Sequence, residues 1–183
     1  TLSDAEINVE LERIIDIMNQ NGLDISVLAD YENENRLIYN FITEELFLHE
    51  IDDMNVPGMV TNFIYEEFHQ NHEYDLKRDT ENFLRMFFNT KSSFYEEYHS
   101  KDASNHEELN TFRSLFKKIK IKFFEFKNIV FDEQKAKVEF NIDFWAKIKG
   151  TDTKINYSGN GSMTFEYEYD YWYVRKVDLP INN

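Results

Sequence analysis

The chain has 183 residues, of which 42% are hydrophobic and 16% aromatic, so it can bury a real core. That content excludes a disordered chain, and 5 Gly with 2 Pro exclude a collagen-like one. With no Cys there is no disulfide framework, no thiolate zinc site and no Cys nucleophile. The net charge of −15 is confined to one part of the chain. Residues 1–75 hold 18 acids with only Arg13 and Arg36 as bases, whereas residues 76–183 hold 17 acids and 18 bases. Such acidity excludes nucleic acid and an anionic membrane surface as direct partners, since both need a basic footprint. It leaves a basic protein partner, divalent cations or mere solubility. No apolar run approaches the roughly 18–20 residues a membrane span needs.

Ser3-x-x-Glu6 is a capping box that opens a first helix. Ile7, Leu11, Ile14, Ile15 and Met18 then recur on one face, and Asn21-Gly22 ends it. Residues 23–30 read as irregular or one turn. A second helix is expected over about 32–53, with Leu37, Ile38, Phe41, Ile42 and Leu46 inward, broken by Met54-Asn55-Val56-Pro57-Gly58. A third is expected over 58–70, burying Val60, Phe63, Ile64 and Phe68. A fourth runs from Asp75 to Phe88, a short fifth from Thr90 to His99, and a sixth follows a cap at Ser104 or Asn105.

The apolar period then switches from 3.6 to 2. Ile119, Ile121 and Phe123 share one parity, and Phe124 and Phe126 take the other, which predicts a bulge near Phe123-Phe124. Ala136 to Ile148 alternates strictly over a long strand. Ile155 to Tyr169 alternates in a third, with Gly159 and Gly161 predicting a sharp bend. Tyr171–Leu179 is the last. Helices first and an antiparallel meander afterwards predict an α+β fold, with N-terminal helices packed on one face of a strongly bent sheet.

Residues from about 77 to 180 resemble the nuclear-transport-factor-2-like superfamily, also called SnoaL-like or cystatin-like. The carriers are the helical segments Asp79–Phe88, Phe94–His99 and Glu107–Phe116, the strands Lys118–Phe126, Lys135–Lys149 and Lys154–Tyr169, and the ending Tyr171-Trp172-Tyr173-Val174-Arg175-Lys176-Val177. The resemblance implies a cone-like sheet with a pocket between sheet and helices, dimerisation through the open sheet face, and, in its enzymes, an Asp, His or Tyr acting in that pocket. The expected organisation is therefore an α+β domain over 76–183, preceded by an acidic helical region over 1–75 packed against it.

On the dry parity the candidate ligand-pocket residues are Phe140, Ile142, Phe144, Tyr157, Met163 and Tyr167. Only Tyr157 and Tyr167 carry polar tips there, and no carboxylate does. Catalytic candidates are thus those two tyrosines and the helical His99 and His106, against the bland reading of satisfied core groups. Trp145, on the opposite parity, with Tyr171 and Tyr173, marks an interface candidate. Tyr65-Glu66-Glu67-Phe68-His69 and Tyr95-Glu96-Glu97-Tyr98-His99 each contain Glu-x-x-His, the spacing of di-iron bundles, with Glu45 and Glu81 as further carboxylates. A second cluster runs through His69, His72 and Asp75. Glu66, His69, His72, Asp75, Glu96 and His99 are accordingly the metal candidates, weighed against a plain solvated face.

The function expected from these readings is a non-catalytic binding protein with no cofactor. It would offer an acidic helical face to a basic protein, and a sheet or pocket to a second copy or a small apolar ligand. The alternatives are an isomerase, dehydratase or cyclase acting on a hydrophobic small molecule, and after it a metal-carboxylate protein. A chain starting at Thr1 reads as trimmed or processed. The expected location is cytoplasmic, with an exported form whose signal was removed left open.

Overall fold

The computed structural model describes residues 2–49 and 58–181. The chain divides into two compact units, Thr1–Asn71 and His72–Asn183.

In the first unit, α1 (Asp4–Gln20) opens on the capping box: the Ser3 side chain accepts from the Glu6 amide while Glu6 reaches back to Ser3. Its apolar stripe buries Ile7, Leu11 and Met18. Gly22, at φ 73°, turns the chain into β1 (Leu23–Ser26), which pairs in parallel with β2 (Thr61–Ile64). This corrects two expectations, since residues 23–26 are a strand and the third helix of 58–70 is β2 followed by the single turn α3 (Tyr65–Phe68). Four-residue strands show too few alternations to be told from a helix by period. The second helix is also shorter than expected. It is α2 (Glu34–Asn40), then a π-helical turn Phe41–Glu45 and a 3-10 turn Leu46–Leu48. The expected break at Met54–Pro57 lies outside the described residues. Phe41, Ile42, Leu46 and Phe63 join Leu11 and Met18 in one core.

In the second unit, α4 (His72–Phe88) and α5 (His106–Ser114) pack on one face of an open antiparallel sheet in the order β3-β4-β5-β6. The strands are Phe116–Phe131, Lys135–Ile148, Lys154–Glu168 and Tyr171–Asp178. This is the α+β class. Between the helices, the expected fifth helix is a 3-10 segment, Phe94–Tyr98. The β3–β4 register slips between Ile121 and Phe123, so Phe123 leaves the dry parity and is 48% exposed. Phe124 turns inward instead, its ring 5.2 Å from Phe140. A slip in the β5–β6 register makes Arg175 an extra residue in β6, because Phe165 pairs with Val174 and Thr164 with Lys176.

Two clamps fix the connections. Arg113 donates to the Phe87, Asn89 and Ser92 carbonyls and lies 4.8 Å over the Tyr95 ring, closing the C-terminal end of α4. The segment 99–105 runs beside β6: the Ser100 amide donates to Val174 O at 2.9 Å, and Asn105 both donates to Val177 O at 2.6 Å and accepts from Val177 N at 3.2 Å.

Candidate functional site

The core face of the sheet comes first. Ile142, Phe144 and Met163 are 0% exposed and Phe140 1%. Aromatic rings fill the space above them. Phe88 lies 4.8 Å from Phe144, and Tyr157 stacks on Phe144 at 5.0 Å with Phe112 edge-on to Tyr157 at 5.5 Å. These expected ligand-pocket residues are therefore core, because the helices bring phenylalanines down onto the dry parity. Tyr157 and Tyr167 are half-buried, and burial pushes the Tyr157 phenol up. Tyr167 packs against Trp172 at 4.9 Å and His72 at 5.1 Å.

The segment 94–106 brings His99 and His106 together, with ring centroids 4.8 Å apart. His99 also stands edge-on to Phe83 at 5.2 Å. Neither ring nitrogen of His99 finds a hydrogen-bond partner among the described residues. Burial, helped by the charge of His106, pushes its pKa down to about 4. An imidazole so weakly basic is unsuited to take protons near neutrality, where a general base works best with a pKa close to the ambient pH. His106 lies 3.2 Å from Asn110 Nδ2 and 3.9 Å from Glu96. The Tyr95 hydroxyl donates to Asn110 Oδ1.

The metal candidates do not converge. Glu66 accepts from the backbone amides of Leu28 and Ala29, at 2.9 to 3.0 Å, and from the Tyr31 hydroxyl. His69, three residues on, turns instead to Glu45 at 2.7 Å. Asp75 pairs with Arg78 at 3.1 Å. His72 Nδ1 accepts from the Trp172 indole at 3.2 Å. Glu96 faces His106 rather than His99. Among the described residues no group of three or more His, Asp or Glu is placed to hold a metal ion. Of the interface candidates, Tyr171 is 65% exposed, while Tyr173 and Trp145 are half-buried.

The first unit holds an arrangement that the sequence pattern did not single out. A cleft of about 530 Å³ lies against α2 and the π-turn, with Tyr31, Glu32, Phe41, Glu44, Glu45, Tyr65 and His69 among its walls. In the π-turn the Leu46 amide bonds Phe41 O, an i to i+5 step that sends Leu46 into the core at 0% exposure and leaves Glu44 and Glu45 at the rim. Glu45 accepts from His49 at 3.2 Å and His69 at 2.7 Å, and the His69 bond holds its carboxyl below the usual range. Tyr65 stacks on His69 at 4.6 Å and meets Tyr31 edge-on at 5.7 Å. Burial, with Tyr31 and Glu45 nearby, pushes the Tyr65 phenol up, so it stays a neutral ring. Arg36, the one Lys or Arg among the described residues of the wall, is turned to Asp4 and the Leu2 carbonyl. The sequence signal was present in the i, i+4 pair Glu45/His49 and in Tyr65-x-x-x-His69, but nothing local joins residues 45 and 69.

No family model matches the sequence, and no curated protein does. Solved structures similar to it include a conserved protein from Planctomyces limnophilus, at 12% identity and a TM-score of 0.49 over 57% of this chain and 91% of that one. A putative scytalone dehydratase from Novosphingobium aromaticivorans is similar at 12% identity and 0.45, over 61% and 93%. A putative dehydratase of the NTF2-like (nuclear-transport-factor-2-like) family from Streptomyces avermitilis is similar at 9% and 0.47, over 60% and 95%. The neighbours thus include members of the superfamily that the sequence resembles.

Proposed function

We propose that this protein is a non-catalytic binding protein whose acidic N-terminal unit receives a lysine or arginine side chain of a basic protein partner. The observation that carries this reading is the cleft, where three carboxylates, Glu32, Glu44 and Glu45, meet the rings of Tyr31 and Tyr65. A cation there gains charge pairing and an aromatic face together, the latter contributing about 0.5–2 kcal/mol depending on desolvation. Glu32 and Glu44 are exposed. The unit Thr1–Asn71 carries 16 acids and two bases, a field that steers a basic partner toward it.

The probe is fluorescein-labelled octalysine, titrated by anisotropy against the full chain. The double variant Glu32→Gln/Glu44→Gln and the single variant Tyr65→Ala should each bind about tenfold more weakly, and parental binding should fade with added salt. Parental affinity in both variants, with folding confirmed by circular dichroism, would refute the reading.

A further inference from the structure

The face of the sheet turned away from α4 and α5 carries a concentration of charge that the fold does not need. Residues paired across neighbouring strands point to the same side of a sheet. The register pairs Lys118 with Lys147 and Lys147 with Lys154, so three lysines stand in one row across β3, β4 and β5. The next row is Lys120, Trp145 and Asn156. Lys122 reaches into it as well, donating to Asn156 Oδ1 at 2.8 Å. Five lysines therefore surround one half-buried tryptophan. The Lys154 and Lys118 ammonium groups lie 4.7 and 5.8 Å from its ring.

Like charges placed directly opposite each other destabilise a sheet. Two such pairs in succession are not explained by edge protection, which calls for lysine on the outermost strand. Lys147 and Lys154 belong to β4 and β5, and β4 is an interior strand. Two carboxylates nearby offset the row only in part. Asp143 is engaged by the Ser158 hydroxyl, and Asp152, which meets Lys147, is a turn residue with a side chain 94% accessible.

We propose that this face docks an acidic polypeptide segment of a partner, its carboxylates seated among Lys118, Lys120, Lys147 and Lys154 and an apolar side chain laid on Trp145. Charge complementarity selects this occupant over the others. A second copy stacked by the same face would set lysine against lysine. A nucleic acid would need a positive field, yet the unit His72–Asn183 has 19 acids against 18 bases. The surface shares no residue with the acidic cleft and prefers the opposite charge, so each reading is tested separately.

The test uses the full chain and a fluorescein-labelled peptide of alternating glutamate and leucine. Anisotropy should show salt-sensitive binding to the parent, about tenfold or more weaker for Lys118→Gln/Lys154→Gln, and weaker again when Trp145→Ala is added. The double variant should melt no lower than the parent, because it removes facing like charges. If it does not fold, Lys120→Gln serves, expected to weaken binding by a few-fold. Undiminished binding in these variants would overturn the proposal. So would equal binding of the matching lysine-leucine peptide, tighter competition by single-stranded oligothymidine, or a concentration-dependent dimer that the Lys→Gln changes strengthen.

Discussion

Gly161 on β5 lies under the ring of Phe140 on β4, its register partner, so closely that a Cβ built there would overlap the Phe140 Cε2 and Cζ atoms. The same Cβ would stand 3.0 Å from the Asp178 carbonyl oxygen, a backbone atom that cannot step aside. Phe140 is 1% exposed and packs against Phe124, which hems its ring in on that side. Gly161→Ala should therefore destabilise the protein by about 1–3 kcal/mol, the usual cost of overpacking a filled site. Thermal melting followed by circular dichroism would show it. The double variant Gly161→Ala/Phe140→Leu should recover part of the loss, and failure to recover would place the strain elsewhere.

The sequence predicted a bend at Gly159 and Gly161; the β4–β5 pairing runs through both without a slip, and the Phe140 ring fills the space over Gly161. Much of the second unit was legible in this way, because fourteen residues of strict alternation in β4 admit only one buried face. What escaped was short or non-local. β1 and β2 are four residues each and pair 38 positions apart. The π-turn at Phe41–Glu45 keeps a helical period up to the point where it widens. Glu45 and His69 are brought together by that turn and by β2, neither of which has a clear local signal. His99 stands out in the sequence only as a histidine; its burial beside Phe83 goes with the tether of Ser100 to Val174 O, which no local pattern supplies.

His99 makes stability depend on pH in a stated direction. Its pKa falls to about 4 in the folded chain, against 6.5 for an unperturbed histidine. Between these values the unfolded chain binds more protons, so folding is opposed as pH falls. The contribution is fully present above about 6.5, declines on acidification and is lost below about 4. His106 and, through it, Glu96 are the charged groups facing this ring. His99→Phe keeps an aromatic ring against Phe83 and Tyr95 but removes the nitrogens. Urea midpoints across this range should fall less steeply for His99→Phe than for the parent. An unchanged slope would assign the acid sensitivity to other groups.

Glu66 ties the loop after β1 to α3, and its three partners, two backbone amides and a hydroxyl, differ in what their loss would cost. The Leu28 amide belongs to an exposed residue, so water can replace the carboxylate there. Ala29 is 8% exposed, and its amide would be left without an acceptor. The Tyr31 hydroxyl loses one anchor of a ring that walls the acidic cleft. Glu66→Ala should thus cost about 1–3 kcal/mol, mainly through the orphaned Ala29 amide. Glu66→Gln keeps an amide oxygen as acceptor and should cost clearly less. Urea denaturation of the two variants orders these outcomes. Octalysine titrations add a second readout: Glu66→Ala should also weaken binding by releasing Tyr31, whereas a loss of stability with parental octalysine affinity would separate the loop from the cleft.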